Sequence, residues 1–315
     1  MGITNENVVF LSAARRAGVS FAKTLTIGRQ ILYADHKTLA ALAREDKIDG
    51  SAATQARTQF SEEFFKRFLG AEEIVSLDNS TYEGADLTHD MNVPVPLDWE
   101  ENYDAIVDAG SLEHVFNFPV ALANCMRMVK TGGRLFFFTP ANNLFGHGFY
   151  QFSPELFWSA LSVDHGFAIE RMVAVEFKYM GTEYGSFRQQ YEVKDPRVTL
   201  SRVTLANSHP VMLLVQAKKI RHTSNPFQKQ PQQSDYLRLW DCGAQSPTAG
   251  ASGTEGPMSI ARRFKSLLPR PVQGFLKRLL RLIPQSVRIR IRNKYGMYFE
   301  HSFRNGTYFR PFNRE

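Results

Sequence analysis

Cysteine is nearly absent: Cys125 and Cys242 are the only two in 315 residues. Two cysteines build no disulfide framework and give no metal-ligand spacing, so the expectation is a reducing, cytoplasmic setting and no bound metal. Also missing is any apolar run close to the roughly 20 residues that a membrane-crossing helix requires. The opening stretch, MGITNENVVFLSAARRAG, has no basic region ahead of an apolar core and does not read as a signal peptide. Internal repeats are lacking too. Glycine is scarce where a nucleotide-binding turn would want it: the first apolar run, KTLTI over 23–27, is followed by Gly28-Arg29-Gln30 and no second glycine.

The formal charge of +7 is unevenly spread. Residues 258–315 hold 14 Lys or Arg against 2 Glu, a net of +12, which leaves −5 for the rest. A basic tail on a mildly acidic body implies an anionic partner for the tail and no nucleic-acid-binding core.

The most informative stretch is YDAIVDAGSLEHVFNFPVALANCMRMVKTGGRLFFFTP, residues 103–140. It reads as a buried strand at 105–107, a loop opening on Asp108, a helix near 119–129, a Thr131-Gly132-Gly133 turn and a second buried strand at 134–138. Two short apolar runs separated by a helix-period segment make a βαβ unit with parallel strands. Ligands of such sheets sit beyond the carboxyl ends of the strands, where Asp108-Ala109-Gly110-Ser111 and Thr139–Asn143 fall. Around this unit we expect helices at 5–18, 36–45 and 60–69, the last capped by Ser61 and closed by Gly70. Strands are expected at 23–27, 73–77 and 85–88, a helix from Ser153-Pro154, and two final strands at 166–177 and 210–218. Residues 178–208 read as a polar, aromatic excursion bordering an acceptor pocket.

The 103–140 segment, followed by GFYQFSPELF at 148–157, resembles the region around the fourth and fifth strands of class I S-adenosylmethionine-dependent methyltransferases. The resemblance covers about residues 21–220. It implies an α/β fold: a doubly wound, Rossmann-like, seven-stranded and mostly parallel sheet. It also implies S-adenosylmethionine as cofactor and methyl transfer to a small-molecule or glycan acceptor. The TIGRQ turn departs from the family's glycine-rich acidic motif and favours an alternative, a non-catalytic scaffold of the same fold at a membrane surface. By position, the resemblance assigns Gly28 and Arg29 to the cofactor's amino-acid end, Asp78 with Asn79 to its ribose, and Asp90 with Met91 to its adenine. Asp108, Ala109 and Gly110 then line the methionine portion. Arg29 offers a fork that fits a carboxylate; a solvated turn arginine is the competing reading. Asp78 and Asp90 compete with helix-cap and turn roles. His114 is the candidate general base, since imidazole titrates near neutrality. His147, between Gly146 and Gly148 in a loop over the pocket with Tyr150 and Gln151 beside it, is the second catalytic candidate. Simple hydrogen bonding or loop packing competes for both histidines. Cys125, Phe116, Phe118 and Phe136–Phe138 read as core.

The chain is thus expected to divide into a methyltransferase-like domain (1–220), a flexible linker (221–257, rich in Gln, Pro, Gly and Ser) and a basic, amphipathic helical tail (258–315). Within 258–294, apolar residues recur at helical spacing opposite Arg and Lys. That pattern suits an anionic membrane surface, peripheral on its inner face, or an acidic protein.

Overall fold

The computed structural model describes residues 2–178, 187–243 and 306–312. Strand β1 (Gly2–Ile3) leads into helix α1 (Asn5–Arg16), which starts on a capping box between Thr4 and Asn7. Then come β2 (Lys23–Ile27), β3 (Ile31–Leu32), α2 (His36–Glu45) and the single turn α3 (Ala52–Gln55). Helix α4 (Glu62–Phe64) continues as a π-helical turn over Phe65–Leu69 and stops at Gly70, whose φ of 73° only glycine adopts without strain. Ser61 precedes this helix, but its side chain makes no capping bond.

Strands β4 (Glu73–Asp78), β5 (Leu87–Thr88) and β6 (Tyr103–Asp108) follow, then α5 (Phe118–Met128) and the long β7 (Val129–Asn142). The expected Thr131-Gly132-Gly133 turn lies inside β7, where the register against β6 shifts between Tyr103 and Ala105. A Cβ on Gly133 would come 2.7 Å from the Asp104 carbonyl, so the two backbones close here only with glycine. After α6 (Pro154–Ala160) come β8 (Phe167–Phe177), β9 (Phe187–Val193), α7 (Pro196–Thr199), β10 (Val211–Lys219), α8 (Ser234–Gly243) and β11 (Phe309–Pro311).

Among the described residues one sheet of nine strands, in the order β11-β9-β8-β10-β7-β6-β2-β4-β5, corrects the expected seven; β1 and β3 pair separately. Strands β7, β6, β2, β4 and β5 are mutually parallel, and β10, β8, β9 and β11 extend the sheet by antiparallel pairing. The two additional strands come from the polar excursion and from the end of the tail. Strand β9 satisfies backbone groups that the β8 edge would otherwise leave unpaired, and β11 does the same for β9, a demand set by the sheet and not by local apolar pattern.

Both faces of the parallel half are covered. Leu25, Ile106, Leu135 and Phe137 point toward α5 and α6, while Ala105, Val107, Phe136 and Phe138 point toward α1, α2 and α4. Phe136 stacks on Phe21 at 5.4 Å and meets Phe10 edge-on at 6.5 Å. Each such ring contributes roughly 1.5–3 kcal/mol by leaving water. Cys125 is buried as expected, whereas Phe116 is 72% exposed and is not core: it sits on the loop before α5, where no second layer covers it.

Of residues 221–257, the stretch 234–243 is helical: Glu155 of α6 accepts from the Ser234 N–H (2.8 Å) and hydroxyl (3.1 Å). Phe309 is buried, and β11 joins residues 309–311 to the main sheet. Residues 244–305, with most of the basic tail, lie outside the described residues. Among the described residues no helix is long and apolar enough to cross a membrane.

Candidate functional site

The sheet order reverses direction at β2. From there the chain builds outward through β4 and β5 on one side and through β6 and β7 on the other. At such a switch point the loops leaving adjacent strands diverge and open a crevice at the carboxyl ends. Register places Ile27 opposite both Leu77 and Asp108, so Gly28, Asp78 and Asp108–Gly110 arrive at the same edge. Gly28 (φ 74°) donates its N–H to the Leu77 carbonyl at 2.6 Å, and Gly110 has φ 93°. Two backbone positions of this edge therefore adopt the left-handed conformation that glycine tolerates.

Asp108 is fully buried. Its Oδ1 accepts from the Ser111 N–H (2.9 Å) and the Leu112 N–H (3.3 Å), while Oδ2 accepts no hydrogen bond. Burial, reinforced by the charge of Glu113, pushes its carboxyl well above the ordinary aspartate range despite those N–H donors. Ala109 is buried beside it. The Ser111 hydroxyl donates to the Ile27 carbonyl at 2.5 Å, and the buried Gln30 amide donates to Ser111 Oγ at 3.2 Å and also to Ile27 O. These bonds tie the end of β2 to the loop after β6. No local pattern in the chain signals this tie.

Asp78 is half-buried at the end of β4, with Oδ1 accepting from the N–H of its own neighbour Asn79 at 2.6 Å. Asn79 is exposed. The two remaining cofactor contacts expected beyond the strand ends look different. Asp90 is exposed and folds onto Asn92, accepting from its N–H (2.9 Å) and Nδ2 (2.7 Å). Those bonds hold its carboxyl below the usual value, the signature of the competing turn role. Met91 is buried in the core on the α5 face. Arg29 spends Nε on Glu62 (2.7 Å) and Nη1 on the Glu83 carbonyl (2.8 Å), with its guanidinium 4.0 Å over the Phe60 ring. Its fork is therefore engaged inside the chain and is not presented whole to a ligand carboxylate.

The other cluster lies on the loops after β6 and β7. A 3₁₀ turn, Leu112–His114, carries Glu113 inward and His114 outward. The loop 143–152 doubles back onto it: the Phe149 and Tyr150 N–H groups donate to the Glu113 carbonyl at 2.8 and 3.2 Å. Gly148 (φ 72°) permits this approach, since a Cβ there would lie 2.8 Å from that carbonyl. The Tyr150 hydroxyl donates to Phe116 O at 2.6 Å, and Gln151 accepts from the Leu144 N–H at 3.2 Å. His147 Nε2 thereby sits 3.3 Å from Glu113 Oε1, and its ring is 5.4 Å from that of His114. The two histidines picked from sequence are thus brought together. Glu113, passed over as the neighbour of His114, proves to be the buried member of the group. Exposed Phe116 and Phe149 pack edge to face at 5.9 Å beside it.

Away from this edge, a cavity of about 250 Å³ lies between α1 and the antiparallel strands, lined by Phe10, Arg16, Arg171 and Phe312 among others. It contains none of the expected site residues and no carboxyl-end loop, so topology favours the crevice.

No family model matches the chain, and no curated protein matches it. Among solved structures it is similar to the trans-methyltransferase CalH in complex with SAH, with 14% identity and a TM-score of 0.35 over 67% of this chain and 54% of that one. The chain thus matches about half of the length of CalH. It is similar also to a SAM-dependent methyltransferase of Thermotoga maritima, at 12% identity and a TM-score of 0.35, covering 69% of this chain and 90% of that one. A third is the 1,6-didemethyltoxoflavin-N1-methyltransferase of Burkholderia thailandensis, with bound 1,6-didemethyltoxoflavin and S-adenosylhomocysteine. Its identity is 14% and its TM-score 0.34, covering 69% of this chain and 80% of that one.

Proposed function

We propose that the protein transfers a methyl group from S-adenosylmethionine to a small-molecule or glycan acceptor. The observation that carries this reading is the convergence of Gly28, Asp78 and Asp108–Gly110 at the switch point of the parallel strands. The fit to the cofactor rests on two features. Left-handed glycines at 28 and 110 let a ligand approach backbone, and the buried Asp108 Oδ2 accepts no hydrogen bond from the protein. When bound, the cofactor supplies an electrophilic methyl on a cationic sulfur, and buried carboxylates favour a cationic guest.

Asp78 and Asn79 would hold the ribose hydroxyls, and Asp108, Ala109 and Gly110 would line the methionine portion. Asp90 and Met91 keep at most a bordering role at the adenine, and Arg29 would have to leave Glu62 to reach a carboxylate. His114 and His147 stand over the crevice as the groups that act on the acceptor, one of them accepting its hydroxyl proton at a ring nitrogen. Phe116 and Phe149 offer ring faces on which an aromatic or sugar acceptor can lie. Catalysis of this kind draws mainly on holding two reactants in line.

A second reading, a non-catalytic scaffold of this fold, is favoured by the engaged Arg29 and the Gln30–Ser111 tie across the first turn. Calorimetric titration with S-adenosylmethionine and S-adenosylhomocysteine separates the two. Binding that Asp78→Ala abolishes supports the enzyme; no binding of either ligand at millimolar concentration leaves the scaffold. We further propose a cytoplasmic protein whose residues 258–294 dock on an anionic membrane surface or an acidic protein. Removing residues 258–305 should then release it from anionic vesicles in a sedimentation assay.

A further inference from the structure

We propose that Glu113, His114 and His147 form a binding site for a divalent first-row transition-metal cation of the zinc or manganese type, at the mouth of the crevice. One ligand atom from each residue, a carboxylate oxygen and two imidazole nitrogens, lies within 4.8 Å of the others. That set, two histidines and one carboxylate with open positions left over, is the donor chemistry of catalytic zinc and non-haem iron sites. The sequence had suggested no metal because it was read for cysteine spacing, and this set contains none.

Three further observations point to a cation. Glu113 is fully buried, yet neither carboxylate oxygen accepts a hydrogen bond; the nearest basic group is His147 Nε2, 3.3 Å from Oε1. A buried carboxylate so poorly compensated costs several kcal/mol unless a positive charge joins it. Asp108, also buried, adds a second carboxylate next to Glu113, which deepens the negative potential at this point. His114 and the partly exposed His147 close the solvent side, so an ion has both an entry path and room for water or an acceptor oxygen.

The loop architecture matches that demand. Two main-chain N–H groups bind the Glu113 carbonyl from the His147 loop, so the ligand-bearing loops are fixed to each other by backbone. The ligand set is therefore assembled before any ion arrives, which lowers the ordering cost of binding. A cation here would be a Lewis acid where the acceptor must be held. With an ion bound the two imidazoles would serve as its ligands, and the proton-accepting role proposed for one of them belongs to the ion-free protein. The Lewis-acid role rests on the methyl-transfer reading; the site itself does not.

The test uses the full-length protein stripped with a chelator and dialysed, then titrated by calorimetry with zinc, manganese and cobalt(II) chloride separately. Cobalt binding is also followed by its visible absorption. The expected result is one ion per chain for at least one of these metals, with nitrogen-ligated cobalt bands. Affinity should fall at least ~10-fold in His114→Ala and in His147→Ala, the scale on which even outer-shell ligand support matters. Both histidines lie toward solvent, so unchanged melting temperatures of the stripped variants should accompany the loss. Binding to S-adenosylhomocysteine is measured in parallel. Retained nucleoside binding with lost metal binding isolates the metal site, and metal binding without nucleoside binding sinks only the methyl-transfer reading. No saturable binding of any of the three ions, or binding equally strong in both histidine variants, overturns the proposal.

Discussion

Glu101 offers the sharpest quantitative test of the fold. It stands at φ 49° in the turn before β6, and its Oε1 meets Lys219 Nζ at 3.1 Å, Thr131 Oγ1 at 2.7 Å and His222 Nδ1 at 3.3 Å. Lys219 is fully buried at the end of β10, and its ammonium also donates to the carbonyls of Val129 (2.9 Å) and Arg127 (3.4 Å). Thus one ion pair ties the turn, the end of α5, the start of β7 and the end of β10. Partial burial opposes ionisation of Glu101, but Thr131 and Lys219 outweigh it and hold the carboxyl down at about 2.

A drop from 4.5 to about 2 corresponds to roughly 3 kcal/mol at 1.36 kcal/mol per unit. Two effects reduce that. The Glu101 side chain is 33% exposed, so solvent screens part of the interaction. Lys219 carries the opposite sign: burial pulls its ammonium below the ordinary lysine value, more than Glu101 restores. We therefore expect Glu101→Gln to cost about 1–2 kcal/mol at pH 7. Because the folded carboxyl lies below the unfolded one, its contribution is complete above about pH 5 and fades as the pH falls toward 2. Urea unfolding of both proteins between pH 7 and 2.5 reads this directly. A wild-type advantage that stays constant across that range would show that the carboxylate charge is not its source.

Two further outcomes follow from packing. Phe136→Ala, which empties the space between Phe10 and Phe21, should cost about 3–5 kcal/mol in chemical denaturation, and a cost under about 1 kcal/mol would mean the face is not packed as described. Gly148→Ala places a methyl against Glu113 in a strained backbone, so it should lower metal affinity in the calorimeter while lowering stability by only about 1–3 kcal/mol; unchanged affinity would detach the His147 loop from the site.

What could be read from the chain follows the reach of each signal. The parallel strands were legible because they are buried on both faces: KTLTI and RLFFF stand out as apolar runs, and β2, α2 and β6 fall within a residue or two of expectation. Gly70 and the Pro154 helix start were legible because caps are local chemistry. Strands β9 and β11 were not, since FRQQYEV and FRP owe their conformation to a neighbour's unpaired edge. The same divide runs through the site. Gly28, Asp78 and Asp108 follow from strand ends, whereas the engagement of Arg29 by Glu62, 33 residues away, depends on how loops meet. For Asp90 the sequence left an adenine contact and a turn role open, and its Asx turn with Asn92 fits the turn role. Glu113 escaped notice because no sequence pattern says that the loop after β7 will fold back over it.

One consequence of this crowding can be measured without knowing the acceptor. Asp108 and Glu113 are both fully buried, and burial together with the Glu113 charge disfavours ionisation of Asp108, so a charged Asp108 in the crevice comes at a cost to stability. Asp108→Asn keeps the oxygen that accepts from Ser111 and Leu112 and removes the carboxyl whose ionisation the Glu113 charge opposes. At pH 8 the variant should therefore be about 1–2 kcal/mol more stable than the wild type, because it removes a buried charge that has no opposite partner. The stabilisation that S-adenosylmethionine or a metal ion brings to the wild type should shrink at the same time, because the negative potential that attracts a cation has been halved. Thermal melts of both proteins, with and without ligand, give the two numbers. A variant less stable than the wild type, with ligand stabilisation intact, would mean that the buried carboxylates are already neutralised inside the chain and do not recruit anything from outside it.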